Sequence, residues 1–176
     1  MNPRILYVGL DVDDTQYHGS ALSQATGEVL HFQYRPTLKG LVSQLAKLHQ
    51  HFPKHTVHVA YEASYIGYWL QRDLVGEGSH CDVVAPSSIP RVGGKAIKTD
   101  RLDAAQLAQF YANSLLTLVH VPSQQMEQGR DLMRSRQHLL QQRTDLRKHL
   151  QALLRRNGLH YKDQTQHKSH WTKQHM

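Results

Sequence analysis

Three strand-like stretches stand ahead of the first helical one, and that order constrains the fold more than any other feature of the chain. Residues 5–12 (Ile-Leu-Tyr-Val-Gly-Leu-Asp-Val) form a short apolar run, rich enough in β-branched residues to fill the middle of a sheet. Residues 15–23 and 28–34 alternate polar and apolar on either side of Ala25-Thr26-Gly27, whose glycine suits a hairpin turn. Only then do Leu38, Leu41, Val42, Leu45 and Leu48 recur at helical spacing, which predicts an amphipathic helix over 37–51. A strand over 56–61 follows, with Glu62 at or just past its end. Next come a helix over 65–75, closed by Gly76 and Gly78, and a strand over 81–85 stopped by Pro86. Residues 86–98 are rich in Pro, Ser and Gly and read as a loop. Thr99 is placed to cap a helix over 100–113, and residues 115–121 are a candidate last strand.

A plain doubly wound sheet would begin strand–helix–strand. Three hairpin-linked strands followed by helix–strand units predict instead an α/β fold with the RNase H-like layout, a mixed sheet with flanking helices.

Beyond Pro122 the texture changes. Residues 123–156 carry no Pro and one Gly, and their period is helical. Leu132, Leu139, Leu146 and Leu153 stand seven apart, flanked by Met133, Leu140, Leu150 and Leu154, a heptad pattern over three to four repeats. Arg136 and Arg143 occupy the other seam position, where Leu150 stands later, which loosens the zipper. The expected division is a sheet domain over 1–122, a basic helical, coiled-coil-like segment over 123–157 that pairs two copies as a homodimer, and a polar linker over 158–176. His160, His167, His170 and His175 in the last stretch lack a metal-ligand spacing and read as linker.

Charge divides at the same place. Residues 1–122 hold ten Lys/Arg and ten Asp/Glu, whereas 123–176 hold eleven and four, so the whole excess of +7 lies in the last third. A neutral body with a basic arm fits a polyanion partner, nucleic acid above all. Arg130, Arg134, Arg147, Lys148, Arg155 and Arg156 face directions other than the leucine stripe and suit phosphate contacts. Arg91, Lys95 and Lys98, interleaved with Gly93 and Gly94, make the loop before Asp100 positive as well. One cysteine, Cys81, permits neither an internal disulfide nor a cysteine-based zinc site. With no apolar run long enough for a membrane span and no signal-peptide plan at the start, the expected location is the cytoplasm.

Four acids stand where such a sheet would gather them. Asp11 lies on the first strand and Glu62 at the end of the strand after the first helix. Asp100 and Asp103 lie at i and i+3 in the first turn of the later helix, on one face. An acid on or ending a buried strand is costly unless it is paired or bound to a cation. Taken singly, each has an ordinary explanation as a helix cap, a dipole partner or a turn acceptor. Together they make a like-charge cluster whose oxygen-only donors suit Mg2+ or Mn2+, and two ions about 4 Å apart would clamp both oxygens of a phosphodiester in displacement.

At this point the sequence resembles a family. Val8-Gly9-Leu10-Asp11-Val12, Tyr61-Glu62-Ala63-Ser64, Val84-Ala85-Pro86-Ser87-Ser88-Ile89-Pro90 and Lys98-Thr99-Asp100-Arg101-Leu102-Asp103-Ala104 are together similar to the N-terminal domain of the insertion-sequence 110/1111 transposases. These are DEDD recombinases with a RuvC-like domain. The resemblance implies that Asp11, Glu62, Asp100 and Asp103 are the four metal-binding catalytic acids of DNA strand cleavage and exchange, with guide RNA as a second partner beside DNA. Two departures matter. Asp13-Asp14 stands where the family often has His-Lys, and Asp13 shares a strand face with Asp11 if the strand continues. The family also carries a C-terminal domain with an attacking serine, and no serine here matches that position, so the sequence reads as truncated before it. A non-catalytic, dimerising nucleic-acid-binding fragment is therefore the competing expectation. A sugar-kinase or actin-like ATPase fits poorly, because Asp13-Asp14 would repel the phosphate that those folds hold just after the first-strand acid.

Overall fold

The computed structural model describes residues 4–13, 15–90 and 100–159, with the backbone alone for Asp100. Residues up to Val121 form one compact unit and those from Pro122 a second. In the first unit, β1 (Arg4–Val12), β2 (Tyr17–Ser23) and β3 (Val29–Tyr34) precede α1 (Leu38–His51). Then come β4 (His55–Glu62), α2 (Trp69–Gly76), β5 (His80–Val84) and α3 (Asp100–Ala112). The five strands lie in the order β3-β2-β1-β4-β5. β2 runs antiparallel to both β1 and β3, while β4 is parallel to β1 and to β5. This is the RNase H-like mixed sheet that the strand order predicts.

Alternation along the strands sorts side chains onto two faces. Leu6, Val8 and Leu10 of β1, Val59 and Tyr61 of β4, and Cys81 and Val83 of β5 join Leu41, Leu45 and Leu48 of α1 and Leu70 and Leu74 of α2 in the larger core. Each fully buried aliphatic chain there stabilises by roughly 1.5–3 kcal/mol. The opposite face is covered by α3, through Ala60, Val84, Leu107 and Tyr111 with Tyr7 packed beside them. Thr37 caps α1, its hydroxyl accepting from the Gly40 N–H at 3.1 Å.

Two elements differ from expectation. Residues 115–121 do not form a strand: a single antiparallel bridge, Val84 to Leu118, ties them to β5. The helix expected over 65–75 begins only at Trp69, because residues 65–68 close into turns around Gly67 at φ 63°.

The second unit is α4 (Gln124–Arg156), a 33-residue helix. The Ser123 hydroxyl caps it by accepting from the Met126 N–H, and Gly158 at φ 71° ends it. There the Gly158 N–H reaches the Arg155 carbonyl and the Leu159 N–H the Leu154 carbonyl, the Schellman pattern. Glu127 in the first turn and Arg155 and Arg156 in the last suit the helix dipole. Within its own unit α4 buries no side chain fully, and Leu132, Leu139 and Leu146 are each more than 60% exposed. No helix among the described residues is long and apolar enough to cross a membrane.

Candidate functional site

Register decides which acids share a face. The parallel ladder of β1 and β4 ends at Leu10 opposite Tyr61, so Asp11 and Glu62 are the next positions on the two strands. Leu10 and Tyr61 both enter the larger core, which puts Asp11 and Glu62 on the opposite face, the one that α3 covers. Across the sheet, Asp11 faces His18 of β2, His18 faces Gln33 of β3, and Glu62 faces Val84 of β5. One row therefore reads Gln33, His18, Asp11, Glu62, Val84. Asp11 is half-buried and Glu62 is exposed.

A glycine lets α3 sit close to this row. A Cβ at Gly9 would overlap the Ala104 carbonyl oxygen and the Ala108 nitrogen and stand 3.0 Å from the Leu107 Cβ. Further along, the Tyr111 ring meets the Tyr7 ring edge-on at 5.2 Å between centroids. Contacts at Gly9 and then Tyr7 mean that α3 runs against the direction of β1. Asp11 lies two residues beyond Gly9, about 6.7 Å along the strand, which a helix covers in about four to five residues. Stepping back that far from the Ala104–Ala108 contact reaches the first turn of α3, the turn that holds Asp100 and Asp103. The backbone thus carries all four acid positions to one end of one face. Asp103 is half-buried, and Asp100 opens the helix. Among the described residues no three His, Cys, Asp or Glu side chains gather closely enough to hold an ion, and the Asp100 side chain stands outside that set. The oxygen-only donor set nonetheless suits a hard divalent cation.

Asp13 does not continue the face of Asp11. β1 stops at Val12, and Asp13 follows the strand's end, accepting from the Thr15 hydroxyl at 3.4 Å. His18 is the residue that sequence reasoning missed beside Asp11; the signal was the short connection between β1 and β2, closed by Val12 opposite Tyr17, which fixes the antiparallel register. Burial and the nearby Arg101 of α3 hold the His31 imidazole below its ordinary pKa. Away from this row, at the start of β5, the His58 and His80 rings stack 4.0 Å apart. Asp82 there accepts the Tyr111 hydroxyl and lies 3.8 Å from His80 Nδ1.

Of the candidate phosphate contacts, Arg91, Lys95 and Lys98 lie outside the described residues. Arg130, Arg134, Arg147, Lys148, Arg155 and Arg156 all belong to α4. Arg134 and Lys148 make exposed i, i+3 pairs with Asp131 and Asp145, contacts that surface screening keeps weak. The helix carries eight Lys/Arg against three Asp/Glu.

Sheet order and acid row together define an RNase H-like domain with carboxylates at the end of its two central strands. A family model for the DEDD transposases of the IS110 type, described as "Transposase", matches residues 8–157. The chain belongs to that family. It is 39% identical over 105 residues to a protein named as a transposase, y4qE of Sinorhizobium fredii (strain NBRC 101917 / NGR234), covering 60% of this chain and 27% of the relative. It is 32% identical over 157 residues to the transposase for insertion sequence element IS1533 of Leptospira borgpetersenii, covering 86% of this chain and 43% of the relative. The chain thus spans less than half the length of either. Among solved structures, the large terminase nuclease of thermophilic phage G20c, crystallised with cobalt, overlays with a TM-score of 0.38 at 16% identity, over 65% of this chain and 55% of that one.

Proposed function

We propose that residues 1–122 are the metal-holding half of a DNA transposase, with Asp11, Glu62, Asp100 and Asp103 as its catalytic acids. The observation that carries this reading is the continuation of the β1–β4 register, which sets Asp11 beside Glu62 on the face whose far end α3 enters with Asp100 and Asp103. Asp11 and Glu62, fixed on central strands, would hold a cation rigidly; Asp100 and Asp103 would complete its shell from the helix. Two Mg2+ or Mn2+ ions bound there would supply Lewis-acid polarisation of a phosphodiester and offset charge on the departing oxygen. The residues described here are assigned that part of the chemistry and not the serine attack that the family resemblance places in a further domain.

Residues 123–157 are read as the nucleic-acid and dimer arm, with residues 158–176 as a linker. Its Arg and Lys side chains would track phosphates of DNA or a guide RNA without reading bases, and its leucine stripe would pair with a second copy.

Iron-directed cleavage tests the metal assignment without relying on turnover. Fe2+ bound in place of Mg2+, with ascorbate and peroxide, should cut the polypeptide near residues 11, 62 and 100–103, and excess Mg2+ should suppress those cuts. Cuts confined to the histidine-containing stretches, or indifferent to Mg2+, would overturn the assignment.

A further inference from the structure

β3 forms one edge of the sheet, and one of its faces lies open beside the acid row. Leu30, Phe32 and Tyr34 pack into the larger core, so His31 and Gln33 take the face of Asp11 and Glu62. On that face α3 packs chiefly on β1 and β2, and both His31 and Gln33 are exposed.

The strip offers donors, and β3 itself carries no Asp or Glu. Gln33 heads the row that runs through His18 to Asp11. The exposed Gln16 donates its side-chain amide to the Gln33 oxygen at 3.4 Å, which leaves the Gln33 amide hydrogens for another acceptor. From the helix side, Arg101 stands exposed in the first turn of α3. It lies near His31: burial, and then this guanidinium, hold the imidazole below its ordinary pKa. Guanidinium, imidazole and amide groups together are donors that phosphate oxygens accept from. β3 is two strands from β1, roughly 10 Å at the usual strand spacing. That is too far to share the phosphate held at Asp11, and near enough to hold a neighbouring one on the same strand.

We propose that Arg101, His31 and Gln33 form a phosphate subsite for the DNA strand whose reacting phosphodiester lies at Asp11. The ligand is a sugar–phosphate backbone because the donors are set out along a strand edge beside the acids. A positive group there also offsets the repulsion between the carboxylates and an approaching polyanion. It is DNA rather than RNA because, on the reading above, on which this inference rests, the strand at Asp11 is the DNA being cut.

The experiment titrates the full chain, in EDTA and over a range of salt, with a fluorescent oligothymidine and an oligouridine of equal length. Arg101→Gln should weaken oligothymidine binding about fivefold at low salt. It should also lower the slope of log affinity against log salt by about 0.7, one single-strand phosphate contact. Arg101→Lys should keep the slope, because the charge stays, and Gln33→Glu should weaken binding about as much as Arg101→Gln. These positions are exposed, so the substitutions leave the core intact. Lys47, exposed on the helix that packs on the other face of the sheet, is the control, and Lys47→Gln should leave affinity and slope unchanged. Unchanged affinity in Arg101→Gln, or an equal loss in Lys47→Gln, overturns the subsite. Tighter binding of the oligouridine with the same Arg101 dependence overturns its assignment to DNA. With metal chelated, failure of the carboxylates to bind ions leaves this result unmoved, whereas a missing Arg101 dependence beside intact ion binding defeats the subsite alone.

Discussion

Gly9 on β1 and Ala104 on α3 meet with no room for a side chain between them: a Cβ at Gly9 would overlap the Ala104 carbonyl oxygen. The contact sets how close the helix lies to the sheet, and so how near its first turn comes to the strand ends that carry Asp11 and Glu62. Helix and strand backbone both oppose the added methyl, so neither yields cheaply. Gly9→Ala should destabilise the first unit by about 1–3 kcal/mol, as overpacking does in other cores. A urea midpoint lowered at unchanged slope would show it. The same substitution should weaken any ion binding at the strand ends, since it moves α3.

Acid should loosen the edge of the sheet through His58. Burial, and then the stacked His80, hold its pKa below the ordinary 6.5, while Asp82 pulls the other way. Tyr7, His80, Asp82 and Tyr111 are the titratable groups grouped around it. A depressed folded pKa means that the imidazole contributes stability above pH 6.5, lost as the pH falls through the folded value. Thermal midpoints should therefore drop below about pH 6.5, and His58→Gln should flatten that part of the profile.

Alkali should act from the other side of the titration range. Burial raises the Cys81 thiol from 9.0 to about 12. It also raises the phenols of Tyr34 and Tyr111, the latter further held protonated by its bond to Asp82. Raised folded values give stability that is complete below the unfolded values and is lost as the pH climbs past them. Stability should decline from about pH 9 upward. Tyr111→Phe should cost about 1 kcal/mol at neutral pH by removing the bond to Asp82, and should leave a shallower alkaline fall.

The exposed leucines of α4 predict self-association. A 33-residue helix that buries no side chain fully within its own unit has little to hold it folded beyond its caps and local pairs. Sedimentation equilibrium should report a dimer. Leu139→Asp combined with Leu146→Asp should return a monomer and lower the helical circular dichroism. A monomeric parent chain would dismiss the coiled-coil reading.

The architecture was legible in the sequence because its signals are local. Alternation over 15–34 around Gly27, the leucine spacing of α1 and the apolar run of β1 each declare their element within a dozen residues. The misplaced start of α2 has a tertiary cause: Ile66 and Tyr68 pack into the core from a turn, anchored by the Tyr61 hydroxyl, so their apolar pattern imitates a helix. Residues 115–121 looked like a strand for the same reason, as Val119 and Val121 pack against the core while a single bridge meets β5. The acids were visible as a motif, but that Asp11 and Glu62 share a face follows from a parallel register between strands some fifty residues apart, which no local pattern encodes. His18, by contrast, faces Asp11 through the antiparallel register of the short connection between β1 and β2, a local relationship.

In the proposed function, Asp11 and its neighbours on this face grip a divalent cation. Calorimetric titration of the chain with Mn2+, beside Asp11→Asn and Glu62→Gln, tests it most directly. Saturable binding is expected in the parent, and at least about tenfold weaker binding in each variant, since each loses one charged ligand. Isotherms that coincide across all three proteins would contradict it.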